Sequence, residues 1–242
     1  MKLRFFKKGF NYSADGPGNR LVYHLSGCSL SCPWCANPEG LFPPKAGYKE
    51  LSCEEILAEV KQAKPLLFDG GGVTFTGGEP TLQFDALKTA LQGLRGAGIS
   101  TAIETNGTCE RLSELLPYLS LLIIDVKHHD DEKHRKWTGS GNDVILANLK
   151  KADEAGIPVW VRTPLIDGVN ADRQDAHAFA KLFQDLALKN ASFEFLPYHE
   201  YGKPKWEKLG KPYPMQGGAL PAGRYDYFKT VFEESGLTVI KT

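Results

Sequence analysis

Short apolar runs alternate along this chain with longer stretches whose apolar positions recur every three or four residues. Six of the runs read as strands: Leu21–Ser26, Val73–Thr76, Thr101–Thr105, Leu121–Val126, Val159–Thr163 and Ser192–Pro197. They are brief and rich in Val, Ile and Leu, the composition of strands covered on both faces. The intervening stretches read as amphipathic helices. Ser52 and Glu55 form a capping box ahead of Ile56, Leu57 and Val60. Leu87, Leu91 and Leu94 repeat at helical spacing until Gly96 and Gly98 stop the helix. Asp172 is placed to cap a helix whose Phe179, Leu182, Phe183 and Leu186 make one apolar stripe.

Strict strand–helix alternation predicts parallel strands joined by right-handed crossovers. Six units are too few to close an eight-unit barrel. The pattern therefore predicts an α/β fold, an open partial (β/α)6 barrel of parallel strands with helices outside, with an open doubly wound sheet as the other solution. No linker, low-complexity tract or repeat interrupts residues 1–242, which read as a single domain. A chain of that length buries about seven-tenths of its unfolded surface.

In parallel barrels the working residues gather at the carboxyl ends of the strands, and here each such end is polar. The first strand runs into Gly27-Cys28-Ser29-Leu30-Ser31-Cys32-Pro33-Trp34-Cys35, and the second into Gly77-Gly78-Glu79-Pro80. The third gives Glu104-Thr105-Asn106-Gly107, the fourth Asp125-Val126-Lys127, the fifth Arg162, and the sixth leads to Tyr198-His199-Glu200. The paired glycines let a ligand approach the backbone closely. Glu104, Thr105 and Asp125 are oxygen ligands on neighbouring strands, suited to a cation. Lys127 and Arg162 either balance a ligand carboxylate or pair with those acids. His128, His129 and His134 fall in the charged stretch Lys127–Lys136, read as a solvated face.

Charge and cysteine usage narrow the class. The 29 basic and 29 acidic residues cancel, leaving no bulk attraction for nucleic acid or an anionic membrane. The apolar runs are too short to span a bilayer, and the amino terminus has no signal-peptide pattern. Three of the five cysteines lie within eight residues, which speaks for metal chemistry in a reducing, cytoplasmic compartment rather than a disulfide framework. Cys53 and Cys109 read as ordinary helix residues. Three thiolates on one loop can hold three irons of a 4Fe-4S cluster and leave the fourth open. A zinc site that adds His24 or Cys53 to the same trio is the alternative.

The Cys-x3-Cys-x2-Cys spacing resembles the radical S-adenosylmethionine superfamily, and further blocks extend the resemblance to its glycyl-radical-enzyme activases. These are Asp15-Gly16-Pro17-Gly18, Gly70 to Glu79, Glu104 to Gly107, Asp125 to Lys127, Val159 to Arg162, and Leu196 to Trp206. Many such activases carry a ferredoxin-like insert with extra cluster cysteines. Here residues 36–76 hold only Cys53, as in the type that serves pyruvate formate-lyase.

The resemblance implies that Cys28, Cys32 and Cys35 ligate a 4Fe-4S cluster whose open iron binds S-adenosyl-L-methionine. Trp34, Cys35, Ala36 and Asn37 would border the adenosine. Gly77, Gly78 and Glu79 would take the amino group. Asp125, Val126, Lys127, Arg162 and His199 would line the rest of the pocket, with a monovalent cation, Na+ or K+, at Glu104, Thr105 and Asp125. The implied partners are a glycyl radical enzyme, a dehydratase or decarboxylase type being the alternative to pyruvate formate-lyase, and a flavodoxin or ferredoxin as reductant. No side chain is required as acid or base. Asp15, Gly16, Pro17, Gly18, Tyr201 and Trp206 are candidate walls for the partner's peptide. Three positions depart from the family pattern: Ala36 where histidine is frequent, Glu104 where aspartate is usual, and Asn19 where an aliphatic residue is usual.

Overall fold

The computed structural model describes residues 1–43 and 47–241. Its elements, in chain order, begin with β1 (Lys2–Tyr12), β2 (Asn19–Leu25), β3 (Lys49–Ser52), α1 (Cys53–Gln62), β4 (Val73–Gly77) and α2 (Phe84–Gly96). They continue with β5 (Thr101–Thr105), β6 (Leu121–Asp125), α3 (Asp131–Thr138), α4 (Asp143–Glu154), β7 (Val159–Leu165), α5 (Arg173–Leu186), β8 (Ala191–Pro197), α6 (Lys203–Lys208) and α7 (Arg224–Glu234).

All six expected strands form, as β2 and β4 to β8, and each pairs in parallel with the next. The sheet is open, in the order β3-β1-β2-β4-β5-β6-β7-β8, with helices outside. Two strands at one margin lie outside the expected six. β1 runs antiparallel to both β2 and β3. Its sequence, Lys2-Leu3-Arg4-Phe5-Phe6-Lys7-Lys8, buries only Leu3 and Phe5 before a bulge between Phe5 and Lys7 breaks the alternation. β3 is four residues long and carries no fully buried side chain.

Alternation along the strands divides the interior in two. Outward-facing Leu21, Tyr23, Phe75, Ile103, Leu122, Ile124, Val161 and Phe195 pack against the helices. The inward faces enclose a narrow lumen whose base is filled by Ala102, Leu121, Ile123 and Trp160. Local signals explain the helices. The Ser52–Glu55 capping box starts α1, and α5 starts at Asp172 with Asp175 closing a second box. One departure from strict alternation lies between β5 and β6, where two 3-10 turns stand in place of an α-helix. Pro117 sits in the second turn and lacks the N–H that an α-helix would need. Cys109, expected in a helix, lies in the loop after β5.

Candidate active site

The carboxyl ends of β2, β4, β5, β6, β7 and β8 surround one cavity. Its walls bring together Cys28, Cys32, Cys35, Trp34, Ala36, Asn37, Gly77, Gly78, Glu104, Thr105, Asp125, Lys127 and His199 from the expected set. Glu79, Val126 and Arg162 do not line it. Thr76, Asn106, Ile166 and Tyr198 do, although the sequence reading assigned them nothing. For Asn106 a signal was present, since it follows Glu104 and Thr105 at a strand end. Tyr198 likewise stands at the polar end of its strand, beside His199, whereas Ile166 carries no polar pattern that separates it from core residues.

The cysteine loop is pinned from four directions. Ser31 N donates to Thr138 O at 2.8 Å, and Glu79 N donates to Gly27 O at 2.6 Å. Trp206 Nε1 donates to Cys35 O at 3.0 Å, and Lys205 Nζ donates to Ala36 O at 2.7 Å and Asn37 Oδ1 at 2.8 Å. Asn106 Nδ2 reaches Ser29 Oγ at 3.0 Å. A second hydrophobic cluster of Leu30, Cys32, Trp34, Ile166, Val169 and Met215 wraps the loop and keeps water off it. Burial pushes the thiols up, Cys28 to about 11 and Cys32 to about 12. A metal centre bound here therefore displaces thiol protons as it forms.

The donor set fits an iron–sulfur cluster with one open corner. All three thiols face a single cavity, and neither candidate for a fourth protein ligand does. Cys53 lies in the core beneath the sheet, its Sγ donating to Ala86 O at 3.4 Å. His24 lies outside the cavity walls.

The glycines after β4 are required by backbone contact. A Cβ on Gly78 would stand 1.9 Å from Gly27 O and 3.3 Å from Gly40 Cα, so no side chain could move to admit it. Gly78→Ala is expected to push the cysteine loop off the strand ends, at a cost near the upper end of about 1–3 kcal/mol for overpacking. A thermal melt and an iron count after anaerobic reconstitution check this together. Both should fall.

Glu79 is fully buried and organises two strand ends at once. It accepts from Thr81 N, Thr81 Oγ1 and Thr105 Oγ1 through one oxygen and from Asn106 N through the other. Val126 faces the outer core, and its N donates to Arg162 O. Arg162 is buried in the lumen. It donates through Nε to Glu194 Oε2 and through Nη1 to Glu104 Oε1, both at 2.7 Å, and through Nη2 to Ala14 O. Of the two readings open for Arg162, ion pairing with the acids is the one observed.

The oxygens expected to hold a cation are already engaged. Glu104 takes Arg162 and the Thr76 hydroxyl, and Thr105 Oγ1 donates to Glu79 and accepts from Gly107 N. Asp125 takes Lys127 Nζ at 2.7 Å. Burial works against the Lys127 ammonium, but Asp125 outweighs it and holds its pKa above that of ordinary lysine.

The histidine stretch is corrected by the structure: His128 and His134 are buried rather than solvated. His128 Nδ1 accepts from Asp130 N, and its Nε2 meets Val169 O, so both nitrogens serve local structure. The two candidate peptide walls lie at opposite ends of the sheet. Asp15, Gly16, Pro17 and Gly18 sit in the turn between Tyr12 and Asn19, at the amino end of β2. Tyr201 is exposed beyond β8 and stacks on His199 at 4.1 Å, whereas Trp206 is buried against the cysteine loop.

Comparison with known proteins agrees with this geometry. The Radical SAM superfamily model matches residues 22–180. A pyruvate formate-lyase-activating enzyme of Staphylococcus epidermidis is 34% identical over 218 residues, covering 86% of each chain. That of Staphylococcus aureus is 33% identical over 234 residues, covering 90% of this chain and 92% of its own. Among solved structures, a domain of pyruvate-formate lyase-activating enzyme from Bacteroides vulgatus aligns with TM-score 0.58 and 28% identity, over 70% of this chain and 97% of that one. A radical SAM methyltransferase from Sphaerobacter thermophilus shares the fold at TM-score 0.68 and 18% identity, over 96% of this chain and 67% of that one. The chain belongs to the Radical SAM superfamily, within the family of pyruvate formate-lyase-activating enzymes. Membership implies a 4Fe-4S cluster and S-adenosylmethionine as cofactors. No helix among the described residues is long and apolar enough to cross a membrane.

Proposed function

We propose that this protein is the activating enzyme of pyruvate formate-lyase, working in the cytoplasm and removing one hydrogen atom from a glycine α-carbon of that partner. The observation that carries the reading is the convergence of three thiols, two backbone-exposing glycines and the Asp125–Lys127 pair on one cavity. No fourth thiol faces that cavity among the described residues. Cys28, Cys32 and Cys35 would hold the 4Fe-4S cluster. When bound, the cluster and S-adenosylmethionine supply the radical chemistry, with a flavodoxin or ferredoxin as electron source.

The chain's own residues bind, orient and exclude water. Backbone at Trp34 to Asn37 would border the adenosine, held in place by Lys205 and Trp206. Gly77 and Gly78 would present main-chain groups to the amino end of the cofactor, and Lys127 would present positive charge to its carboxylate. The hydrophobic cluster around Cys32 shields the site from solvent. The target glycine must then come into near contact with the reacting carbon, so the partner segment enters extended.

The test is anaerobic. The reconstituted protein is reduced, and its electron paramagnetic resonance spectrum is recorded with and without S-adenosylmethionine, then after addition of pyruvate formate-lyase. A cofactor-perturbed cluster signal followed by a glycyl radical doublet is expected. A perturbed cluster without the doublet would move the reading to another glycyl radical enzyme, of dehydratase or decarboxylase type. Zinc in place of iron would overturn it.

A further inference from the structure

The short helix α6 is seated directly on the last turn of the cysteine loop. Contact begins at Gly202, its N-cap, where an added Cβ would stand 2.4 Å from Cys35 O and 3.0 Å from Ala36 Cα. Only a glycine lets the helix come this close. Trp206, buried one turn later, donates through Nε1 to Cys35 O at 3.0 Å and packs edge-on against Phe42. Lys205 donates through Nζ to Ala36 O at 2.7 Å and to Asn37 Oδ1 at 2.8 Å.

The placing of Lys205 is uncommon for a lysine. Its neighbour Lys203 points outward and pairs with Glu200 at 3.2 Å. Lys205 is half-buried and spends its donors on a carbonyl and an amide oxygen, with no carboxylate paired to it among the described residues. Withdrawing an ammonium from water without a counter-charge is unfavourable, so the gain must lie in what the cation does to the loop.

The peptide bonds of this turn are trans, and in a trans peptide the C=O and N–H point to opposite sides. Holding Ala36 O against Lys205 therefore turns the Asn37 N–H the other way, where it donates to the Cys35 thiol. Burial raises the Cys35 pKa. The Asn37 N–H is the largest influence opposing it, ahead of the Lys127 and Lys205 ammonium groups. On a ligand sulfur, such a hydrogen bond and nearby positive charge favour the more negative, reduced state of an iron–sulfur cluster and so help to set its potential.

We infer that Lys205 is a positioning residue that tunes the cluster. By holding the Ala36 carbonyl it aims the Asn37 N–H at the Cys35 sulfur, and its own charge adds to that bond in favouring the reduced state. The inference rests on Cys35 being a ligand of the 4Fe-4S cluster, as proposed above.

Lys205→Met keeps the aliphatic stem and removes the ammonium. Reconstituted wild type and variant are titrated anaerobically with redox dyes, and the reduced fraction is read by electron paramagnetic resonance. At a fixed poise the ratio of reduced to oxidised cluster should fall about tenfold, the weight of one hydrogen bond to a charged group. For one electron that is a midpoint about 59 mV more negative. The ratio is read on whatever cluster assembles, so a lowered iron count does not blunt the comparison. Lys205→Arg, which restores a cation and a donor, should recover part of the shift. Lys203→Met, on the same helix but exposed, should change the ratio less than about twofold. An unchanged ratio in Lys205→Met, no recovery in Lys205→Arg, or an equal fall in Lys203→Met overturns the inference. Wild-type protein that takes up zinc and no iron would instead strike the cluster assignment, and the tuning role with it.

Discussion

Cys32→Ala is expected to leave a folded protein that assembles no cluster and cleaves no S-adenosylmethionine above background. Cys32 is the most deeply placed of the three thiols, packed with Leu30, Trp34, Ile166 and Met215. Two remaining thiols cannot hold three irons, and no other cysteine is within reach to substitute. The cost to folding should be small, on the order of 1 kcal/mol, because a thiol becomes a methyl group in an apolar setting. Cys53→Ala is the control. That thiol sits in the core beneath the sheet, so its loss should leave iron content and cofactor cleavage at wild-type levels. Iron and sulfide counts on the two reconstituted variants, beside a partner-free cleavage assay, separate the outcomes. Retained cleavage in Cys32→Ala would sink the cluster assignment; lost iron in Cys53→Ala would revive a four-ligand site.

Much of this architecture was legible because buried parallel strands announce themselves. Leu121 to Ile124 has no polar residue to hide it, and its strand ends where Asp125 begins to face the cavity. The cysteine spacing and the paired glycines were legible for a related reason: cluster ligation and close backbone approach admit few residue types. β1 was not, since a strand with one solvated face can mix Lys, Arg and Phe freely, and the bulge after Phe5 erases its period. The histidines were misread on composition. Between Lys127 and Lys136 the charges dominate the pattern, yet α3 turns His134 inward, where its Nδ1 meets Ser140 O, and Lys127 itself faces Asp125. The turn at Asp15 was legible as a set of residues but not as a place: it sits at the amino end of β2, where the Ala14 carbonyl accepts from Arg162, and that position follows only once the antiparallel β1–β2 pairing is known.

Arg162→Met is expected to be the most destabilising single change among the buried polar residues. The guanidinium is buried and saturated by Glu104, Glu194 and the Ala14 carbonyl, so one side chain ties β5, β7, β8 and the β1–β2 turn together. Burial opposes the charge on Glu104, but Arg162 outweighs that and keeps its pKa below the usual range. Removing the cation leaves Glu104 without its guanidinium partner inside the lumen, and breaking such a buried pair costs about 3–5 kcal/mol. For a chain of this size that corresponds to a fall in Tm on the order of 10 °C. Arg162→Lys should rescue only part of this, because an ammonium cannot reach three acceptors at fixed angles as the fork does. The pH dependence gives a second check. The lowered pKa of Glu104 adds stability that is present above the unfolded carboxylate's pKa and is lost as pH falls through the folded one. In Arg162→Met that contribution should vanish or change sign, so the variant should lose less stability than wild type on acidification. Melting curves of both proteins from neutral to acid pH test this. Parallel curves would mean that Arg162 stabilises through packing alone, whereas convergence toward low pH is what an ion pair at the centre of the lumen requires.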